Sequence, residues 1–228
     1  MKIYAMSDIH GHLDAFWEAL SKVDLSGNNK LVLLGDYIHG PDDYGVIDTI
    51  ISLQEKHGQD KVIALCGNHE EMAMEGTWNI NEDRYGVPIV PGNYDDDKYL
   101  AWMSKLPLYH VENNAIFVHA GIDEEAATAG YWELGTDEHI FVGKFPAQTG
   151  SIPDFDMKIV AGHVGTNIIA RNPYFNDIYY DGGSHYYIDG TVRKSGVIPV
   201  LMYDTDRDAF YRVTESGPWL ILPYNDEY

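Results

Sequence analysis

The sequence predicts one α/β domain over residues 1–228, built on two β-sheets. Three observations lead there. The first third of the chain alternates strand and helix patterns, the mark of a parallel sheet with right-handed crossovers. The second half turns to short apolar strands separated by turns. Between the halves there is no linker, internal repeat or low-complexity segment.

The elements follow in order. "KIYAM" at 2–6 alternates weakly and reads as a first strand, closed by the loop "SDIHGH". A carboxylate already at Asp8 makes this start a strand rather than a signal peptide. "LDAFWEALSKV" sets Leu13, Phe16, Trp17, Leu20 and Val23 at helical spacing. "KLVLLGDY" is a short apolar run, as expected of a strand covered on both faces. "YGVIDTIISLQEKHG" reads as a helix ending at Gly58, and "KVIALCGNH" as a third strand. "EEMAMEG" opens a short helix. Residues 77–93, rich in Gly, Pro and Asn, form a long loop of the kind that often carries function. "DKYLAWMSKL" is helical. The strands "AIFVHAG", "MKIVAGHVG", "DIYYDGG", "HYYIDG", "VIPVLMYD" and "AFYRVT" follow.

Composition narrows the function. The net charge of −21 opposes binding to nucleic acid or to anionic membranes. Much of it is local, in "NEDRYG", "YDDDKY" and "GIDEEA", and reads as a solvated acidic surface. No stretch is long and apolar enough to cross a bilayer. Cys66 is the single cysteine, so no intrachain disulfide forms, and a cytoplasmic setting fits.

The loops that follow the apolar runs carry the unusual residues. They are Asp8 and His10, Asp36, Asn68 and His69, His119, and His163. Sites in open α/β sheets form at the carboxyl ends of strands. A His or Asp at one strand end is ordinarily structural, but a structural reading must explain five such loops in one chain. Asp, His and Asn together suit divalent Mn²⁺, Fe or Zn²⁺. Asp8, His10 and Asp36 could hold one ion; Asp36, Asn68, His119 and His163 could hold a second, with Asp36 shared.

The segments "SDIHG", "GDYIHGPDDYGVID", "GNHEE", "VHAG" and "GH" resemble the calcineurin-like metallophosphoesterase superfamily. Within it they look like the phosphoprotein phosphatase branch and its bacterial relatives, among them symmetrical diadenosine tetraphosphatases. "YYIDGTVRKSGVIPVLMYD" resembles that branch's last strand-turn-strand segment. The resemblance implies two mixed sheets packed face to face and flanked by helices, a four-layer sandwich. It implies a two-metal site, with Mn²⁺ as the expected ion, and phosphomonoester hydrolysis without a covalent intermediate. It carries over Asp8, His10, Asp36, Asn68, His119 and His163 as ligands, with Asp36 bridging, and His69 as proton donor to the leaving oxygen. Glu70 either fixes its loop or simply favours the dipole of the helix it opens.

The sequence also departs from that pattern. The family's Gly-Asp-x-x-Asp-Arg-Gly-Pro stretch is here Gly35-Asp36-Tyr37-Ile38-His39-Gly40-Pro41. His39 alone stands where the family has an Asp that orients the proton donor and an Arg that grips phosphate. A second family arginine has no match in "YWELGTDEHIF", and Cys66 sits where Arg is frequent. His39 could take either lost role, and His39, Arg171 and Arg193 are the candidate substrate-binding substitutes, with Arg84 reaching in from the long loop. The expectation is a phosphatase acting on a phosphorylated protein or peptide (on Ser/Thr, or with dual specificity) or on a small phosphoester. The alternatives are a dinucleoside polyphosphate or nucleotide hydrolase of the same fold, or a metal-binding regulatory module with impaired catalysis.

Overall fold

A computed structural model describes residues 1–89, 92 and 94–225. The expected long loop at 77–93 therefore lies partly outside the described residues, at 90, 91 and 93. Its described part carries no helix or strand beyond a bridge between Glu82 and Pro88.

The first sheet has six strands. At its centre β1 (Lys2–Met6) pairs in parallel with β2 (Lys30–Leu33), and β2 with β3 (Val62–Ala64). On the other side of β1, β9 (Leu201–Asp204), β10 (Ala209–Thr214) and β11 (Gly217–Leu220) extend the sheet antiparallel. The second sheet runs β4 (Tyr109–Glu112), β5 (Ala115–Val118), β6 (Lys158–Ala161), β8 (His185–Tyr187), β7 (Tyr179–Tyr180). Its central three strands are parallel and both its edges antiparallel. Both sheets are mixed, as expected.

The weak alternation of β1 now has its reason. Ile3 and Ala5 pack with Phe117 and Val160 of the second sheet, in the layer between the sheets. Tyr4 and Met6 face the opposite way, against Phe16 of α1 (Leu13–Leu20) and Val46, Ile47 and Ile50 of α2 (Asp43–His57). Both faces are covered, so both must be apolar. Ile116, Val118 and Ile159, on the outer face of the second sheet, meet Trp132 and Phe141 of the short helices that follow β5. The layers are helix, sheet, sheet, helix.

Several elements differ from the sequence reading, β4, β11 and the short helices after β5 among them, and two differences bear on the site. The helix expected after β3 starts earlier, as α3 (Asn68–Glu75), with Gly67 as its cap. Asn68 and His69 therefore lie in its first turn instead of ending the strand. The helix expected from Tyr44 starts at Asp43, because the Asp42 carboxylate accepts from the Gly45 amide at 2.9 Å and caps it.

Candidate metal centre

The parallel strands β1, β2, β3, β5 and β6 all deliver a loop to one edge. Tyr37 locks two of these ends together: buried completely, it donates its hydroxyl to Leu33 O at 2.9 Å and Leu65 O at 2.8 Å. Across the sheets, the His163 amide donates to Asp8 Oδ2 at 2.9 Å, while within the second sheet the Gly162 amide donates to His119 O at 2.8 Å. A methyl group on Gly162 would overlap Ser7 Oγ and Asp8 Oδ2, so only glycine lets this crossing close.

Two sets of donor atoms, each within 4.8 Å of one another, result: His10, Asp36 and His69, and Asp36, His119 and His163. They share Asp36, the residue expected to be common to both. His10 Nε2 lies 3.7 Å from Asp36 Oδ2 and 3.9 Å from Asp8 Oδ1, so Asp8 borders the first set. His119 Nε2 lies 3.4 Å from Asp36 Oδ1. Asn68 Oδ1 sits between His119 Nε2 at 3.0 Å and His163 Nδ1 at 2.9 Å. All six residues expected as ligands are thus in one cluster. His69 stands beside them, its Nε2 3.7 Å from Asp36 Oδ2.

The chemistry of this cluster fits divalent ions. Asp8 and Asp36 are buried, and burial and then neighbouring carboxylates (Asp189 for Asp8, Asp8 for Asp36) push both carboxyls well up. Such a group calls for positive charge between its members. Burial lowers His10 to about 3, and lowers His119 and His163 too, leaving imidazoles with lone pairs. Backbone carbonyls set the ring orientation: Ile38 O lies 3.0 Å from His10 Nδ1, and Leu34 O 2.9 Å from His119 Nδ1. A ring that donates from Nδ1 to a carbonyl offers Nε2 as ligand.

The backbone carries the same message. Asp8, His10, Asp36, His39 and His163 all adopt positive φ, between 46° and 68°. Non-glycine residues in that region are strained and gather at functional sites.

Glu70 proves to be the fastener of the loops. Fully buried, it accepts from the amides of Asp36 (2.7 Å), Tyr37 (2.8 Å) and Gly67 (3.0 Å). Burial raises its carboxyl to about 7 even against these bonds. Asp43 acts similarly one shell out, accepting from the Gly40 amide at 2.8 Å and the Asn81 amide at 2.9 Å. Sequence reasoning missed Asp43, whose signal was its place at a helix start, and missed Asp189, a buried carboxylate after β8 that acts on Asp8.

The candidate substrate residues separate. Arg193, in α9 (Val192–Ser195), reaches the cluster: its Nη2 donates to His39 O at 2.7 Å and lies 3.1 Å from His10 Nδ1. His39 is buried against His69. Arg171 is exposed beyond α8 (Thr166–Ile169), and Arg84 is exposed and donates to the Tyr85 hydroxyl. Neither contacts the cluster among the described residues.

A carboxylate shared between two imidazole-rich donor sets, at the carboxyl edge of paired mixed sheets, could hold divalent ions. The chain belongs to the calcineurin-like phosphoesterase family, whose model matches residues 1–203. It is 32% identical over 127 residues to the symmetrical bis(5'-nucleosyl)-tetraphosphatase of Nitrosospira multiformis, covering 54% of this chain and 44% of that one. To the enzyme of the same name from Delftia acidovorans it is 27% identical over 164 residues, 68% of this chain and 55% of that one. The chain spans about half the length of the curated relatives it matches. The fold is similar to a cold-active protein-tyrosine phosphatase of a psychrophilic Shewanella species (TM-score 0.65, 18% identity, covering 97% of this chain and 80% of that one). It is similar also to a protein serine/threonine phosphatase of Saccharomyces cerevisiae (TM-score 0.62, 14% identity, 99% and 82%). At these identities the two structures speak to the fold alone. Among the described residues no helix is long and apolar enough to cross a membrane.

Proposed function

We propose that residues 1–228 act as one hydrolase domain on a dinucleoside polyphosphate or a related nucleotide, with two divalent ions, Mn²⁺ first and Fe or Zn²⁺ as alternatives. The sharing of Asp36 between two donor sets carries the reading of a two-ion hydrolase. The substrate class rests on the names of the curated relatives, which favour it over the phosphoprotein expected from the sequence.

Asp8, His10 and Asp36 would hold one ion, and Asp36, Asn68, His119 and His163 the other. Ions so held supply an activated water and a clamp on the phosphoryl oxygens. His69 faces the same space through Nε2 and gives a proton to the leaving oxygen. Arg193, exposed at the rim, offers a guanidinium to the substrate's phosphate chain. The cytoplasm, where nucleotides are plentiful, is the proposed compartment.

One observation keeps the phosphoprotein reading as a second. A chain of net charge −21, with Arg193 as the guanidinium that reaches the cluster, repels a highly charged small anion more than a phosphopeptide. Kinetics with Mn²⁺ on diadenosine tetraphosphate, a nucleoside triphosphate, p-nitrophenyl phosphate and a phosphoserine peptide decide between them. The nucleotide reading expects the highest kcat/KM on diadenosine tetraphosphate. A phosphopeptide turned over well above every nucleotide overturns it.

A further inference from the structure

His39 and His69 meet through their Nδ1 atoms, 2.7 Å apart. One of the two must carry a proton and the other a lone pair. The far side of His39 decides which. Its Nε2 lies 3.1 Å from Trp78 O and 3.1 Å from Asn79 O, and a carbonyl only accepts. The proton of a neutral His39 therefore sits on Nε2, and its Nδ1 is bare. His69 must donate its Nδ1–H to His39.

This places the working nitrogen of His69. With Nδ1–H committed to His39, the atom that gains or loses a proton is Nε2, which faces Asp36 Oδ2 at 3.7 Å. We infer that His39 is the positioning residue of His69, an uncharged imidazole that fixes the tautomer and ring direction of the proton donor through an Nδ1–H···Nδ1 bond. The inference rests on the reading of His69 as that donor. In the step it serves, the oxygen of water forms the new P–O bond, and the leaving oxygen takes the electron pair of the old one together with the Nε2 proton of His69. The attacking water's proton passes to solvent, from which His69 is recharged, while its Nδ1–H stays on His39 throughout.

The surroundings of His39 are built for this. Its ring stacks on Trp78 with centroids 4.0 Å apart and planes 11° apart. The Trp78 indole is held in turn by its N–H to Glu82 O at 2.9 Å. Arg193 grips the His39 carbonyl, and the His39 backbone is held at φ 68°. Burial lowers the His39 imidazole to about 4, so it stays neutral and able to accept at neutral pH. The loop at 77–82, outside the metal ligand set, thus enters the site through two carbonyls.

The test has two arms. Long-range ¹H–¹⁵N spectra of the histidine-labelled, metal-free protein at pH 7 read the tautomers without any turnover. His39 is expected as the Nε2–H form and His69 as the Nδ1–H form; His39 found as Nδ1–H overturns the inference. In the Mn²⁺-loaded enzyme, His39→Phe keeps the stack on Trp78 but removes the acceptor, and His39→Asn returns an acceptor oxygen. His39→Phe is expected to bind the same metal as wild type and to lower kcat on phenyl phosphate roughly 10²-fold, with little change on p-nitrophenyl phosphate or in KM. His39→Asn is expected to recover most of the loss. Equal losses on both substrates, or no rescue by Asn, overturn the positioning role. A wild-type enzyme that splits no phosphoester fails the functional reading instead, and the tautomers still judge the His39–His69 bond.

Discussion

The Asp36 amide donates to Glu70 Oε2 at 2.7 Å, so the residue shared by both donor sets is placed by a carboxylate in the first turn of α3. Replacing Glu70 by alanine strands the buried amides of Asp36, Tyr37 and Gly67. Each unmet buried donor costs about 1–3 kcal/mol. The Glu70→Ala variant should unfold at clearly lower temperature and hold less metal, read by calorimetry and elemental analysis. A variant with wild-type melting and full metal content contradicts the role given to Glu70.

Sharing at Asp36 predicts unequal consequences among the ligands. Chelation should abolish turnover and Mn²⁺ should restore it. Asp36→Asn should lower the content of both ions, whereas His10→Ala should spare the one held by Asn68, His119 and His163. Metal stoichiometry of the purified variants checks this directly.

Arg193 touches the cluster from its rim. Its hydrogen bond goes to His39 O, and removing a guanidinium from a phosphate costs mainly binding. Arg193→Ala should raise KM for diadenosine tetraphosphate roughly tenfold and change kcat much less. Steady-state kinetics on both parameters measure the split.

Far from this edge, His185 is buried between Asp181, 2.8 Å from its Nδ1, and Glu124, 3.3 Å from its Nε2, while Lys144 holds Glu124 at 2.6 Å. Burial works against the imidazolium, but the hydrogen bond to Asp181 and the nearby Glu124 carboxylate win and raise His185 above its usual 6.5. A raised value means the folded chain binds the proton more tightly. That stabilisation is full below about 6.5 and is lost as pH rises through the folded value. Asp181 and Glu124 are lowered despite burial, so their share is full above the usual carboxylate range and is lost as pH falls. The deficit in melting temperature of a His185→Gln variant should therefore be greatest near pH 5–6 and shrink toward pH 8.

The two-sheet architecture was legible because apolar runs such as "KLVLL" must be strands covered on both sides. The short edge strand β11 was not, since Gly217 and Pro218 speak against a strand and only pairing with β10 makes one. That these residues would gather at one edge was legible for a chemical reason: Asp, His and Asn ending five apolar runs have no common structural purpose. What escaped depends on neighbours distant in sequence. The left-handed backbone at Asp36 and His163, the grip of Glu70 on residues 36 and 37, and the facing of His39 toward His69 are all made by contacts across 30 residues or more. His39 was expected to take either role lost with the family's Asp-Arg pair, orienting the proton donor or gripping phosphate, and its nitrogens face His69 and two backbone carbonyls.

The donors come from both sheets: Asp8, Asp36 and Asn68 follow strands of the first, His119 and His163 strands of the second. Side-chain packing joins those two layers in their middle, and packed layers can slide by small amounts where hydrogen-bonded ladders cannot. Ions seated at the shared edge would act as rivets through the laminate. Loading them stabilises the folded chain by mass action, and the gain should be spread over both layers. Amide exchange should slow on metal binding in β1 and β6 alike, strands that share no hydrogen-bond ladder and meet through packing and the His163–Asp8 hydrogen bond.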